Sequence, residues 1–183
     1  MTKWLRTRAA LIQAALELFD ERGYDGTTAA AIAARAGVSE MTFFRHFASK
    51  DAVLVDDPYD PLIAEAVARQ PLELSPLDAA AAGVRDAWRS VPAPASAEVR
   101  DRLRIVARTP SLGGVLARNS TGTADAIAEA LRSRGVPLGE ARIAAAATIG
   151  ALNAALLAWA DGDDPDLGSA ILSATAVLSG GRR

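Results

Sequence analysis

The sequence predicts an all-α fold in two parts, with an N-terminal three-helix domain over residues 1–48 and a C-terminal helical domain over residues 49–183. Three observations lead to this prediction. Residues 27–50 form two short apolar-faced segments joined by a tight turn, residues 75–109 repeat apolar side chains at helical spacing, and residues 143–160 contain no charged side chain. Half of the 183 residues are apolar, so the chain can bury a sizeable core.

The composition limits the possible chemistry and location. The chain has no cysteine, which excludes disulfides, thiolate nucleophiles and cysteine zinc sites. No feature of the sequence therefore requires an oxidising compartment. The first 19 residues are basic and then apolar, but Gln13 and Glu17 interrupt the apolar run at helical spacing and no small-residue cleavage site follows. We therefore expect an amphipathic helix rather than a signal peptide, and a cytoplasmic protein.

The first predicted helix spans about residues 3–22 and ends at Gly23. An Asp-Gly pair at positions 25 and 26 then turns the chain, so that Tyr24 can pack under the turn. Two further short helices would complete a small bundle that holds the last helix rigid. Its expected core consists of Phe19, Tyr24, Ile32, Val38, Phe43 and Phe47.

Residues 27–47 have the pattern of a helix-turn-helix. Thr27 or Thr28 can cap the first of the two helices, and Gly37 tolerates the positive φ of a helix stop. Ser39 is a suitable N-cap for the second helix, residues 40–47. The spacing therefore predicts two short helices held at an angle by a tight turn.

The second of these helices has two different faces. Phe43 and Phe47 stand four residues apart and are expected inside, so the outward residues are Glu40, Met41, Phe44, Arg45 and His46. Apolar side chains beside an arginine suit a helix in a DNA major groove, where arginine bonds guanine edges and apolar groups contact thymine methyls. Residues 1–50 hold seven Lys or Arg against five Asp or Glu, so we expect few phosphate contacts and binding by two copies together.

The order of these signals resembles the N-terminal domain of the TetR family of transcriptional regulators. The resemblance covers about the first 55 residues, through Gly-Tyr-Asp-Gly-Thr-Thr at 23–28, Ala-Gly-Val-Ser at 36–39 and Ser-Lys-Asp at 49–51. It implies a DNA-binding homodimer, usually a repressor, that binds a near-palindromic double-stranded operator and takes a small-molecule effector in its C-terminal domain. By motif position it implies phosphate contacts at Thr27, Thr28, Phe44 and Lys50, and groove contacts at Glu40, Met41, Thr42, Arg45 and His46. Phe44 stands where the family commonly has tyrosine, so a hydroxyl bond to phosphate is lost there.

A fourth helix is predicted at residues 50–55 after a Ser49 cap, and a break is predicted beyond it, at about residues 57–61. The stretch Asp-Asp-Pro-Tyr-Asp-Pro at 56–61 places two prolines where the TetR family has a continuous connecting helix, which residues 62–69 would resume. This acidic stretch resembles that of actinobacterial members similar to the mycofactocin-system regulators. The resemblance implies an acyl-coenzyme A or other fatty ligand, with Arg104 or Arg108 as the candidate for its charged end.

The C-terminal helices are expected to surround the effector. Helices are predicted at residues 75–91 and 97–109, whereas Gly113, Gly114 and the polar run at 119–122 leave open one helix or two within residues 110–134. The residues that could line an apolar cavity are Trp88, Leu103, Val106, Leu116, Ile127, Asn153 and Trp159, with the asparagine as a polar orienting group. Plain core packing is the alternative for each of them.

The uncharged residues 143–160 reach the length of a membrane span, an interpretation that we consider and set aside. The stretch is rich in alanine and is interrupted by Gly150 and Asn153, and its large side chains form a stripe. A small-residue face of Ala147, Gly150, Ala151 and Ala154 lies beside that stripe, so one side can meet the core and the other a partner. The predicted dimer interface comprises Ile149, Leu152 and Leu156 on this helix and Leu167, Ile171 and Leu178 on the last.

No catalytic, metal or cofactor site is expected. His46 is the only histidine, so an ordinary transition-metal site or a histidine-based triad cannot form. The acidic residues 161–166 fail the calcium-loop pattern, because proline takes a ligand position and no glutamate closes the loop. The leading hypothesis is a ligand-responsive DNA-binding regulator, and the alternative is a helical enzyme or scaffold whose N-terminal bundle only resembles a DNA reader.

Overall fold

The structure is a computed structural model that describes residues 2–56, 60–90 and 96–180, without the side chains of residues 60 and 61. Within these ranges the regular secondary structure is entirely helical. The elements are α1 Lys3–Arg22, α2 Ala29–Arg35, α3 Glu40–His46, α4 Ala52–Val55, α5 Asp60–Ala68, α6 Pro76–Ser90, α7 Ser96–Arg108, a 3-10 turn Pro110–Leu112, α8 Val115–Asn119, α9 Thr121–Ser133, α10 Leu138–Asp161 and α11 Leu167–Leu178. The predicted all-α class is confirmed.

The first compact unit comprises Met1–Asp56 and Asp101–Val115. Here α1 packs against α2 and α4, and α2 packs against α3. Four of the six predicted core residues are buried, and Tyr24 and Val38 are half-buried. The largest fully buried side chains of residues 1–56 are Leu11, Leu18, Ile32, Phe43, Phe47 and Val53, apart from a threonine described below. The small bundle therefore has a continuous apolar interior on which α3 rests.

The helix ends of this unit follow the sequence signals closely. Thr2 caps α1 by accepting from the Leu5 amide, and Gly23 ends the helix with φ 72°. The helix α4 ends at Val55 and Asp56 after it is extended, so the helix ends just before the predicted break at about residues 57–61. Residues 57–59 of the predicted break lie outside the described residues, and α5 begins at Asp60, before the expected restart. The domain boundary after residue 48 stays a prediction.

The second compact unit comprises Asp57–Arg100 and Leu116–Arg183. Its longest helix, α10, packs against α6, α9 and α11, while α5 packs against α6 and α9. A buried cluster joins these helices and consists of Val67, Ala79, Ala80, Ile127, Ala128, Ala130, Leu131, Ala141, Ala144 and Ala145. Because seven of these ten residues are alanine, the helix backbones approach one another closely. The region predicted as one helix or two, residues 110–134, is divided into the 3-10 turn, α8 and α9.

Among the described residues, α10 is the one helix that is long and apolar enough to cross a membrane by length and composition. Core helices of soluble proteins meet the same criterion. In this structure Thr148 and Leu152 are buried on one side of α10, whereas Ile143 is exposed on another. The helix therefore has an inner face within its own unit and an outer apolar face.

Gly83 marks the closest approach between α5 and α6. A Cβ atom at this position would lie 2.7 Å from both the Cα and the N of Val67, distances that real Cβ contacts do not show. Since the obstructing atoms belong to the backbone of α5, a rotamer change cannot relieve the contact. The glycine is required by the packing rather than by its own backbone conformation.

We expect Gly83→Ala to destabilise the protein. Moving two helices apart in a packed core costs roughly 1–3 kcal/mol, which outweighs the gain of about 1 kcal/mol that alanine brings to a helix interior. Urea unfolding followed by circular dichroism measures the difference. Gly122→Ala in α9 is the matched control, because nothing lies within 4 Å of a Cβ there. Equal stability of the two variants would contradict this account of the α5–α6 contact.

Candidate nucleic-acid interface

The turn before α2 is built around Thr27, which is 2% exposed. Its hydroxyl donates towards the carbonyl oxygens of Gly23 at 2.9 Å and Leu18 at 3.2 Å, and its amide donates to the Tyr24 carbonyl at 3.1 Å. A hydroxyl has one proton to donate, and this one is used inside the protein. Thr27, a predicted phosphate contact, therefore holds the turn instead of facing solvent.

Lys50 holds the same turn from the other side. Its Nζ donates to the carbonyl oxygens of Tyr24 at 2.7 Å and Thr27 at 2.8 Å, and it lies 3.8 Å from the centre of the Tyr24 ring. Burial lowers the pKa of Lys50 from its ordinary value, against the opposing effect of the acidic residues Asp25 and Asp51. Two of the three ammonium protons are thus occupied, which leaves one for the phosphate contact that the sequence predicted.

Thr28 is exposed and caps α2. Its Oγ1 accepts from the amide of Ala31 at 3.1 Å, so the hydroxyl proton is not needed for the cap. The residue lies at the first turn of the helix, with unpaired backbone amides beside it. This geometry is compatible with a bond to a phosphate oxygen, and the phosphate contact at Thr28 stays a prediction.

The turn between α2 and α3 fixes the angle of the second helix. Gly37 has φ 71°, and the Val38 amide donates to the Ala33 carbonyl at 2.9 Å. Ser39 Oγ accepts from the Thr42 amide at 3.2 Å and lies 2.9 Å from Thr42 Oγ1. The predicted groove residue Thr42 is accordingly half-buried, with its hydroxyl in a hydrogen bond to the cap.

The helix α3 separates an inner aromatic face from an outer mixed face. Phe43 is fully buried and Phe47 is 2% exposed, and their ring centroids lie 5.7 Å apart. On the outer face Met41 is 76% exposed and Phe44 is 51% exposed, with its ring edge-on to Phe43 at 5.3 Å. Glu40 and Arg45 are exposed on the same face. Four predicted contact residues therefore share one solvent-facing surface.

His46 occupies the rim of that surface. Its ring is 5.0 Å from the ring of Trp4, and its Nδ1 is buried without a hydrogen-bond partner in the part of the chain that the structure describes. Burial first, and then the charges of Arg8 and Arg45, lower the pKa of His46. A lowered pKa disfavours the charged imidazolium, and the ring packs against Trp4 of α1, so His46 is a weaker candidate for a phosphate contact than its sequence position implied.

Arg8 is the structural residue that the sequence interpretation missed. Its side chain is 12% exposed, donates to the His46 carbonyl at 2.9 Å and to Asp56 Oδ2 at 2.8 Å, and covers the Phe47 ring at 4.2 Å. Because it satisfies a terminal carbonyl of α3, it fixes the end of that helix against α1. The spacing of Trp4 and Arg8, one helical turn apart, was the available signal.

The predicted effector-lining residues are distributed over both compact units. Leu103 and Val106 belong to the first unit, and the remaining five belong to the second. Leu103, Val106, Ile127 and Trp159 are buried, whereas Trp88, Leu116 and Asn153 are half-buried. Ile127 is part of the buried alanine-rich cluster of the second unit, so core packing explains that residue.

The predicted dimer stripe faces largely inward. Leu152, Leu167 and Ile171 are buried within the second unit, and Ile149, Leu156 and Leu178 are half-buried. The first three are corrected to core residues, because side chains already buried in their own chain have little surface to offer a partner. The exposed apolar face of the same two helices consists of Ile143, Ala147, Gly150 and Ala154 on α10 and Leu172, Ala176 and Val177 on α11.

Two family comparisons cover most of the chain. Residues 11–56 match the family described as "Bacterial regulatory proteins, tetR family", and residues 74–183 match the "MftR C-terminal domain". The chain belongs to the TetR family. The resemblance inferred from the helix-turn-helix motif is thereby confirmed, and the family consists of regulatory proteins rather than enzymes.

A curated relative agrees with this membership, and two solved structures share the fold. The HTH-type transcriptional regulator TcmR of Streptomyces glaucescens is 35% identical over 147 residues, which cover 72% of this chain and 62% of TcmR. The chain thus spans less than two thirds of that relative. SmeT, the repressor of the Stenotrophomonas maltophilia multidrug efflux pump SmeDEF, is similar with a TM-score of 0.55 and 21% identity, covering 95% of this chain and 89% of SmeT. NalD of Pseudomonas aeruginosa gives a TM-score of 0.53 and 24% identity, covering 96% of this chain and 98% of NalD.

We expect Lys50→Met to destabilise the first unit even without DNA. The change leaves the carbonyl oxygens of Tyr24 and Thr27 without the donor that joins them, a loss of about 1–3 kcal/mol. Urea unfolding of the DNA-free protein measures it. Arg45→Met serves as the control, since Arg45 is exposed on α3. If Lys50→Met lowered DNA affinity but left stability equal to that of the control, Lys50 would be a phosphate contact alone.

Proposed function

We propose that this TetR-family chain is a transcriptional regulator, a repressor that binds a double-stranded operator as a homodimer and is released by a small apolar effector. The observation that carries the proposal is the outer face of α3. That face exposes Met41, Phe44, Arg45 and Glu40 on a helix whose inner side is anchored by two buried phenylalanines. Such a short, rigid and exposed helix has the dimensions that a major groove admits.

The proposed base contacts centre on Arg45. Arginine can donate two hydrogen bonds to a guanine edge, and the neighbouring Met41 and Phe44 can contact thymine methyl groups. Glu40 can accept from a cytosine amino group at the N-terminal end of α3. Thr42 and His46 remain in the proposed contact set at its margin, because their polar groups face the protein.

The proposed phosphate contacts are few. Thr28 has a free hydroxyl proton at the start of α2, and Lys50 has one ammonium proton left after its two internal bonds. Phe44 can contribute only ring contact to the backbone, and Thr27 supports the turn from inside. With so few neutralised phosphates, one domain alone would bind DNA weakly, so two domains on successive major grooves are needed.

We expect Arg45→Ala to weaken operator binding and to relax base preference at one position in each half-site. The loss of a bidentate guanine contact removes about 1–3 kcal/mol of discrimination. Bound fragments selected from genomic DNA provide the operator, and fluorescence anisotropy at fixed salt measures affinity. Arg69→Ala, which removes an exposed arginine directly after α5, is the control for charge. Unchanged sequence selection by the Arg45 variant would remove this residue from the groove.

The proposed dimer forms through the outer face of α10 and α11. Ile143 is 71% exposed and Val177 is 74% exposed, with small side chains between them along α10. Two copies of a two-helix face with small residues can pack as an antiparallel four-helix bundle, and a two-fold axis makes the same patch meet itself. This assignment replaces the inward stripe and uses the small-residue face that the sequence had placed beside it.

We expect Val177→Glu to yield monomers. A carboxylate at a self-meeting apolar patch would place two like charges near the two-fold axis without a partner. Sedimentation velocity at micromolar concentration measures the change. Leu72→Glu is the matched control, since Leu72 is equally exposed, at 73%, but lies in the turn between α5 and α6. A Val177 variant that sediments like the control would show that this face is not the interface.

The proposed control by ligand follows from the family membership. A C-terminal domain that matches the MftR type supports an apolar effector, for which an acyl-coenzyme A or other fatty compound is the candidate. Since the half-site spacing is fixed by the duplex, a change in the separation of the two DNA-binding domains would prevent simultaneous docking. Ligand and operator must then weaken each other's binding by the same factor. A screen for compounds that release the selected fragments tests this part of the proposal.

A further inference from the structure

Two unpaired donors lie together near the end of α10. Trp159 is 6% exposed, and its Nε1 is buried without a hydrogen-bond partner among the described residues. The guanidinium of Arg100 covers its ring, with Cζ 4.3 Å from the centroid, and Arg100 Nε is likewise buried and unpaired. A buried donor without an acceptor is destabilising, because it has lost its hydrogen bonds to water. Two of them in contact indicate that an acceptor belongs at this place.

The surroundings provide few acceptors. Arg100 also donates through a terminal nitrogen to the backbone carbonyl of Asp164. The Asp164 carboxylate is already engaged in its own loop, where one oxygen accepts from the Asp166 amide at 2.9 Å and the other from the Ser169 hydroxyl at 2.6 Å. The two hydrogen bonds are the main causes of the lowered pKa of Asp164, and the charge of Arg100 lowers it less. The Asp164 carboxylate therefore acts on Arg100 mainly through space.

The start of α11 brings further polar groups close together. The indole Nε1 of Trp88 lies 3.0 Å, and Asp166 Oδ1 lies 3.1 Å, from the point where a Cβ atom of Gly168 would be. Asp166 Oδ1 is itself engaged, because it accepts from the Gly168 amide at 2.9 Å. The helices α6, α10 and α11 contact one another pairwise. The carboxylates of this loop are thus occupied by the loop's own donors, and the two unpaired donors remain available to the anionic head group of a ligand.

We propose that Trp159 and Arg100 form the recognition site for the carboxylate of an effector with an apolar body. The indole Nε1 donates to one carboxylate oxygen and the guanidinium Nε to the same or the second oxygen. The inference rests on the proposed effector role of the C-terminal domain, and it goes further by specifying an organic carboxylate and the two side chains that hold it. Arg100 replaces Arg104 and Arg108 as the residue for the charged end.

The test compares two probes that differ only in the head group, octanoate and octan-1-ol, at pH 7.5 by calorimetric titration of the DNA-free full chain. We expect octanoate to bind about tenfold or more tightly than the alcohol, the range of a charge-assisted hydrogen bond. Trp159→Phe retains the ring and should weaken octanoate about tenfold while leaving the alcohol unchanged. Arg100→Gln should abolish the preference between the two probes.

A matched control separates a local contact from a general loss of charge. Arg89→Gln removes an exposed arginine that pairs with Asp86 on its own helix, α6, and the variant should retain the full preference. If thermal unfolding shows that Trp159→Phe does not fold, the Arg100→Gln variant still allows the affinities for octanoate and octan-1-ol to be compared, because Arg100 is half-exposed. Equal affinity of the two probes for the unaltered chain, or no binding of octanoate, would overturn the proposal and mean that water satisfies both donors.

A second arm separates this inference from the proposed function. Octanoate is added to the complex of the chain with its selected operator fragment, and anisotropy measures release. Release that is lost in Arg100→Gln supports the site as the effector site. Selective octanoate binding without any effect on DNA would preserve the carboxylate site and contradict its effector role. Release by octanoate that persists in both variants would overturn the site while leaving the regulator intact.

Discussion

The guanidinium of Arg8 is the contact on which the geometry of the first unit depends. It joins three elements that are distant in sequence, since it lies on α1, bonds the last carbonyl of α3 and pairs with Asp56 after α4. Its side chain is nearly buried, whereas that of Asp56 is 44% exposed. A cation in this setting must keep its acceptors, because an unpaired buried charge is strongly destabilising. The angle between α1 and α3 is thus fixed by hydrogen-bond geometry as well as by aromatic packing.

The same contacts bear on how the N-terminal region would bind DNA, as proposed, with so little positive charge. Arg8 and Lys50 both donate to backbone carbonyls inside the unit, and Arg35 pairs with Glu17 and Glu21 on α1. Part of the basic excess of residues 1–50 is therefore structural. The charge that remains for phosphate is smaller than the composition suggests, which strengthens the requirement for two domains bound to one operator. Rigidity of each domain then matters, because the second domain must meet its groove without further adjustment.

Much of this unit could be predicted because turn and cap residues carry local information. The ends of α1, the positive φ of Gly37 and the Ser39 cap all follow from residue type, and the alternation of Phe43 and Phe47 with Phe44 follows from helical spacing. The roles of Thr27 and Lys50 did not follow in the same way. Their partners are backbone carbonyls, which every residue has, so no side-chain pattern in the sequence identifies them. Family position suggested phosphate contacts, and the three-dimensional turn directs most of their donors elsewhere.

The inner face of α10 could not be predicted from hydrophobic periodicity, because this helix is apolar on nearly every side. Hydrophobic periodicity identifies an inner face only where an outer face is polar. Here large side chains such as Leu152 lie inside, and small ones such as Ala147 and Gly150 lie outside beside Ile143. Size therefore separates the two faces where polarity cannot, and large residues predicted at the interface, such as Leu152, are buried in their own unit. A helix that must be covered on both faces also has the composition of a membrane span. The apolar character of α10 therefore explains both why it resembles a membrane span and why its inner face is hard to predict. In the proposed homodimer, a second copy of the chain covers the outer face and leaves the inner core intact.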